Sequence, residues 1–184
     1  MRILGISGSL RRDSHNTALL RAAAELLPPG AELELYDGLR ALPPYDQDED
    51  APELHDPAVT ELKAAIERAD AILIATPEYN HSIPGVLKNA LDWASRPVAD
   101  SVLRGKPVAV VGASTGLFGA VWAQAEVRKV LGAIGAEVVD RELPVMQAHA
   151  QFDEYGNLRE EDLRGQLAEH VAALVAATSE KVAA

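Results

Sequence analysis

Four apolar residues, Ile3-Leu4-Gly5-Ile6, run into the hydroxyl-rich segment Ser7-Gly8-Ser9-Leu10-Arg11-Arg12-Asp13-Ser14-His15-Asn16, and from Thr17 the spacing turns helical. Leu19, Leu20, Ala23, Leu26 and Leu27 share one face of a helix over Thr17–Leu27, which Pro28-Pro29-Gly30 stops. Strand, polar loop and helix in that order make the first half of a βαβ unit. The same alternation recurs down the chain. Glu32–Tyr36 alternates polar and apolar with period two, as a strand near a sheet edge does. Ala71–Ala75 and Val108–Val111 are continuous apolar runs, suited to strands buried on both faces. Glu137–Val139 reads as a fifth, shorter strand. Helices are expected over Ala58–Arg68, Pro84–Ala94, Phe118–Ile134 (ending at Gly135) and Arg159–Thr178, with Pro84 in a first turn, where proline is favoured. Residues 37–57 form the longest irregular stretch, with Pro43-Pro44 and the acidic run Asp46–Asp50. Such a stretch is either solvated or a lid.

Five strands alternating with helices predict an α/β fold in which one domain, residues 1–184, builds a parallel sheet covered on both faces. Right-handed crossovers and the element count favour a flavodoxin-like three-layer sandwich with a five-stranded sheet in the order 2-1-3-4-5. In that order the winding reverses between strands 1 and 3, and a crevice opens outside their carboxyl ends. Ser7–Asn16, Thr76–Ser82 and Gly112–Gly119 follow strands 1, 3 and 4, so all three loops are expected to meet there.

Composition narrows the function. The 184 residues carry 17 Lys+Arg against 28 Asp+Glu, a formal net charge of −11, which disfavours nucleic-acid and anionic-membrane partners. Hydrophobic residues make up 48%, so the chain can bury a core unaided by a metal or disulfide. The absence of cysteine removes thiolate chemistry and fits a reducing compartment. The apolar run at Ile3–Ile6 is too short for a signal peptide, and no stretch approaches the roughly 18 apolar residues of a membrane span. A cytoplasmic protein is expected.

The first loop lacks both the G-x-G-x-x-G spacing and a Gly-Lys-Ser/Thr ending. It offers instead the hydroxyls of Ser9 and Ser14, the amide of Asn16 and the guanidinium of Arg11, beside the free N–H groups of a helix start. A phosphate monoester is held by such a donor set. The alternative is that Ser14 or Asn16 caps the helix. The second loop, Thr76-Pro77-Glu78-Tyr79-Asn80-His81-Ser82-Ile83-Pro84-Gly85, is stiffened by its prolines and can line a flat heterocycle, with Tyr79 packing nearby; the alternative is an ordinary strand-to-helix turn. The third, Gly112-Ala113-Ser114-Thr115-Gly116-Leu117-Phe118-Gly119, lets a ring approach the backbone closely. The helix start behind it is expected to stabilise negative charge developing on a bound group.

Gly112-x-Ser114-x-Gly116 also matches a hydrolase nucleophile elbow, with Asp140, Asp153, His149 and His170 downstream for a triad. Too little chain follows for the strands that fold places after its nucleophile, and the first two loops would have no role. The five histidines, His15, His55, His81, His149 and His170, show no metal-ligand spacing, so no metal site is expected.

With these loops in view, the chain resembles the NAD(P)H-dependent FMN reductases of the flavodoxin-like superfamily, which include bacterial quinone and chromate reductases. The resemblance covers most of residues 1–145. It is sharpest in Gly8-Ser9-Leu10-Arg11-x-x-Ser14-x-Asn16 and in Pro77-Glu78-Tyr79-Asn80-x-Ser82-x-Pro84-Gly85-x-Leu87-Lys88-Asn89-Ala90-x-Asp92-Trp93. It implies that Ser9, Arg11, Ser14 and Asn16 hold the FMN phosphate. Pro77, Glu78, Tyr79 and Asn80 would line the ribityl chain and ring, and Ser114, Thr115 and Gly116 the pyrimidine end. Asn89, Asp92 and Trp93 read as helix packing and association. The implied reaction is ping-pong hydride transfer from NADPH or NADH through FMN to a quinone-like acceptor or free flavin, with no catalytic side chain, in a homodimer or homotetramer. A flavodoxin-type electron carrier is the alternative, although such carriers use a Thr-rich phosphate loop where this chain has Ser9-Leu10-Arg11.

Overall fold

The computed structural model describes residues 1–54 and 56–183; His55 lies outside the described residues. Strand β1 (Arg2–Ser7) sits at the centre of the fold's logic. It pairs in parallel with β2 (Glu32–Tyr36) on one side and with β3 (Ala71–Thr76) on the other. β3 in turn pairs with β4 (Pro107–Ala113), and β4 with β5 (Glu137–Val138). The order β2-β1-β3-β4-β5 is the one expected. All six residues of β3 and all seven of β4 are buried, as their unbroken apolar runs require, whereas edge strand β2 alternates.

The sheet departs from expectation at its far edge. A sixth short strand, β6 (Pro144–Val145), pairs with Gly112 and Ala113 of β4, beyond the two positions where β5 pairs with Pro107 and Val108. The fifth lane is therefore one strand interrupted by residues 139–143. Arg128 holds that excursion in place through ion pairs to Asp140 and, at 2.7 Å, to Glu142.

Two helical layers cover the sheet. Leu4, Ile6, Ile72, Ile74, Val108 and Val110 face α2 (Pro57–Arg68), α3 (Gly85–Ala94) and α4 (Val121–Ile134). Ile3, Leu73, Val111 and the small Ala71, Ala75, Ala109 and Ala113 face α1 (His15–Ala24) and α6 (Glu161–Ala183). Between them lies the four-residue α5 (Ala148–Gln151). Full burial of each Leu, Ile or Val contributes about 1.5–3 kcal/mol, so these two faces dominate stability.

Helix starts differ from the spacing by one to three residues, the closing helix beginning at Glu161 and not Arg159, and two of the shifts have a visible cause. α1 begins at His15, two residues early, because the Ser14 hydroxyl caps it by accepting from the Thr17 N–H at 3.3 Å. α4 begins at Val121, three residues late, because Gly119 and Ala120 both adopt positive φ. At Gly119 that conformation is obligatory, since a Cβ would lie 2.5 Å from the Pro144 carbonyl carbon.

Among its described residues the 37–57 stretch is exposed at Asp46–Glu49, as a solvated segment would be, yet it is ordered around α3. It folds into short 3-10 turns at Gly38–Ala41, Gln47–Glu49 and Pro52–Leu54, and is pinned to α3. The Asn89 side chain donates to the Pro43 carbonyl and accepts from the Tyr45 N–H, both at 2.8 Å, while Trp93 Nε1 donates to Pro43 at 2.9 Å. Asn89 and Trp93 thus serve packing, as read from the sequence.

Candidate functional site

Ser7 is in register with Ala75, and Thr76 with Gly112, so the loops after β1, β3 and β4 leave the sheet at one level. They line a cleft of about 100 Å³, open to solvent. Nine of the eleven expected residues line it: Ser9, Arg11, Ser14, Asn16, Pro77, Glu78, Tyr79, Ser114 and Thr115. Asn80 and Gly116 do not. His15 and Ala113 line it as well, although the sequence motifs do not single them out.

The first loop is held by its own hydroxyls. Ser7 Oγ accepts from Thr17 Oγ1 at 2.9 Å, and Ser9 Oγ accepts from the Arg11 N–H at 3.3 Å. Gly8 is wedged so that a Cβ would stand 3.0 Å from Leu87 and 3.2 Å from Pro77, which brings the first and second loops close together. Asn16 does something the spacing cannot reveal. It is buried, and its side chain both donates to the Ala113 carbonyl and accepts from the Ala113 N–H, each at 2.9 Å. It clamps the first loop to the end of β4.

Tyr79-Asn80-His81-Ser82 closes a tight turn with reciprocal Tyr79–Ser82 backbone bonds and positive φ at Asn80 and His81. Asn80 is therefore at the exposed turn tip. Glu78 points back across the site, where its Oε2 accepts from the Trp122 N–H at 3.0 Å and the Ala123 N–H at 3.1 Å. Helix α4 has no cap from its own first residues, and this carboxylate supplies one. These N–H groups are taken by Glu78, which corrects the expectation that they stabilise charge on a bound group.

The third loop is stitched to the segment after β6. Ala148 N–H donates to the Ser114 carbonyl and Gln147 N–H to the Gly116 carbonyl, both at 2.9 Å. Buried Gln124 completes the frame, donating to the Gly119 carbonyl and accepting from the Leu143 N–H. A buried glutamine on an otherwise apolar helix face is the signal that marks it. Leu117, Phe118, Trp122 and Met146 remain exposed at the rim, with Phe118 and Trp122 in edge contact at 4.9 Å.

His15 stacks on Phe152 at 5.9 Å. Burial, then Arg11, then His149 lower its pKa, so the imidazole is biased towards neutrality at a place already facing a guanidinium. Burial beside β4 pushes His170 down to about 4, against the Val110 backbone, which favours the charged form. Among the described residues neither His149 nor His170 hydrogen-bonds to Ser114, so no triad forms, and no three His, Asp or Glu side chains gather as metal ligands.

The donor set in the cleft fits a phosphate monoester. The hydroxyls of Ser9 and Ser14 and the Arg11 guanidinium line its first-loop side, and the one carboxylate among the lining residues, Glu78, is engaged with α4. The family model of the NADPH-dependent FMN reductases matches residues 1–150. The chain belongs to that family. It is 42% identical over 175 residues to an NAD(P)H-dependent FMN reductase of Pseudomonas aeruginosa, covering 95% of this chain and 93% of the other. A 2-hydroxy-1,4-benzoquinone reductase of a Burkholderia species is also 42% identical, over 89% of this chain and 88% of its own. Among solved structures, FerB of Paracoccus denitrificans, a flavoenzyme NAD(P)H:(acceptor) oxidoreductase, superposes with a TM-score of 0.85 at 37% identity over 97% of each chain. A Pseudomonas aeruginosa flavodoxin superposes at 0.57 and 22% identity over 95% of this chain and 99% of its own, a likeness of fold alone.

Proposed function

We propose that this chain is an FMN-dependent NAD(P)H oxidoreductase that reduces quinone-like acceptors. What supports this most is the donor-rich cleft between the loops after β1, β3 and β4, in a chain of the FMN reductase family. FMN held there would supply the two-electron chemistry between NAD(P)H and the acceptor.

The chain's own residues bind and orient. Ser9, Ser14 and Arg11 hold the phosphate, with Arg11 providing charge-assisted bonds. Asn16 keeps the first loop and the end of β4 in fixed relation, so that the phosphate site and the Ser114–Thr115 wall stay in register. Pro77 and Tyr79 form the apolar side of the cleft, and Glu78 fixes α4 behind it. No side chain is required to move a proton, since hydride transfer and proton uptake from water complete the reaction.

The exposed rim of Leu117, Phe118, Trp122 and Met146 supports a contact with a second copy, in a homodimer or homotetramer. The chain contains no cysteine, and no helix among the described residues is long and apolar enough to cross a membrane, both of which accord with a cytoplasmic location.

Purified protein loaded with FMN and supplied with NADPH or NADH and a benzoquinone should consume the nicotinamide continuously. A flavodoxin-type carrier would consume almost none, and that result would replace this reading.

A further inference from the structure

On the other side of the first loop, the ends of β1 and β2 and helix α1 line a second, open hollow of about 390 Å³. Three guanidinium groups line it, those of Arg11, Arg21 and Arg40, against a single carboxylate, Asp37. That convergence is unexpected in a chain of net charge −11. Several other arginines do face carboxylates: Arg2 faces Glu32, Arg68 faces Glu61, Arg141 faces Glu169 and Arg164 faces Glu25. Arg40 gives one N–H to the Leu10 carbonyl at 2.9 Å. Among the described residues, Arg11 and Arg21 make no side-chain hydrogen bond or ion pair, so their charge is uncompensated within the chain.

We propose that this hollow holds the phosphorylated adenosine ribose of NADPH, with Arg21 and Arg40 on its 2′-phosphate. Guanidinium groups match phosphate oxygens two at a time, and a cluster of them outweighs one carboxylate for an anion. Tyr36, half-buried, supplies a ring surface for a base. The hollow adjoins the flavin cleft, because Ser9 and Arg11 line both. An adenosine half seated there lies at the phosphate end of the flavin cleft, and the rest of the donor extends from it along the cleft towards the ring. The inference rests on the flavin reading and adds to it a preference for NADPH over NADH.

Two measurements test it. In the FMN-loaded enzyme, Arg21→Gln should lower kcat/KM for NADPH about tenfold or more, change that for NADH less than twofold, and leave the dissociation constant of FMN unchanged. Equal effects on both donors, or none on NADPH, would overturn the assignment; so would a weakened FMN affinity, which would place the flavin phosphate in this hollow. The second measurement needs no variant. In calorimetric titrations of the wild-type protein, adenosine 2′,5′-bisphosphate should bind at least tenfold more tightly than adenosine 5′-monophosphate, and equal affinities would overturn the site. Failure of the flavin reading would show separately, as absence of FMN binding with the bisphosphate preference intact.

Discussion

Replacing Asn16 by alanine separates two roles that the sequence alone leaves merged, a phosphate donor and a structural clamp. In the structure both amide atoms of Asn16 are engaged with the Ala113 backbone, and the side chain is buried. Truncation leaves one N–H and one C=O of Ala113 without partners at the sheet's carboxyl edge. Each unpaired buried group costs about 1–3 kcal/mol, so Asn16→Ala should destabilise the flavin-free protein by about 2–5 kcal/mol. Asn16→Asp keeps the acceptor for the Ala113 N–H but sets a carboxylate against the Ala113 carbonyl, and should cost at least as much. Urea unfolding without flavin, followed by fluorescence from buried Trp93, gives the difference from the shift in midpoint at constant slope. A loss under about 1 kcal/mol, accompanied by a tenfold or greater weakening of FMN binding, would refute the clamp and return Asn16 to the phosphate.

The other predictions concern single groups. Glu78→Ala should cost about 1–2 kcal/mol of stability in the same unfolding assay, by uncapping α4, and Glu78→Gln less, because an acceptor remains. For His15, burial, Arg11 and His149 lower the pKa in the flavin-free protein, and a bound phosphate opposes this, so binding takes up a proton. The part of FMN affinity due to His15 is therefore full below its flavin-free pKa, itself under 6.5, and fades as pH rises through the higher pKa of the complex. Titrations between about pH 6 and 8 should show this slope in the wild type and lose it in His15→Phe. His170, at about 4 when folded, protonates more readily unfolded, near 6.5. Its neutral burial stabilises fully above about pH 6.5, and roughly 3 kcal/mol is lost as pH falls towards 4. His170→Gln should flatten the acid limb of the urea midpoint against pH.

The layers of this fold were legible because two strands are apolar throughout and the helices between them carry one-sided patterns. β3 and β4 read as strands buried on both faces, and the strand order followed from right-handed crossovers and the count of five strands. The interruption of the fifth lane was hidden, since its anchors, Arg128 on Asp140 and Glu142 and Gln124 on the Leu143 N–H, lie on a preceding helix. The site divides in the same way. Ser9, Arg11 and Ser14 are local to one loop, and their chemistry can be read where they stand. Glu78 caps a helix 44 residues further on, and Asn16 clamps a strand end 97 residues away, so only the folded chain shows what they do. His15 sits between a cap and a clamp and carries no motif of its own. Its place in the cleft comes from α5 and Phe152, in the region after Ala148 where the family motifs had run out.

The central claim is that a flavin is gripped here by its phosphate. Fluorescence titration of the flavin-free protein with FMN and with riboflavin, in the wild type and Arg11→Ala, tests it most directly. FMN should bind far more tightly than riboflavin, and Arg11→Ala should weaken FMN by about 1.5–3 kcal/mol while leaving riboflavin unchanged. Equal affinities for the two flavins, or an FMN affinity indifferent to Arg11, would contradict the account.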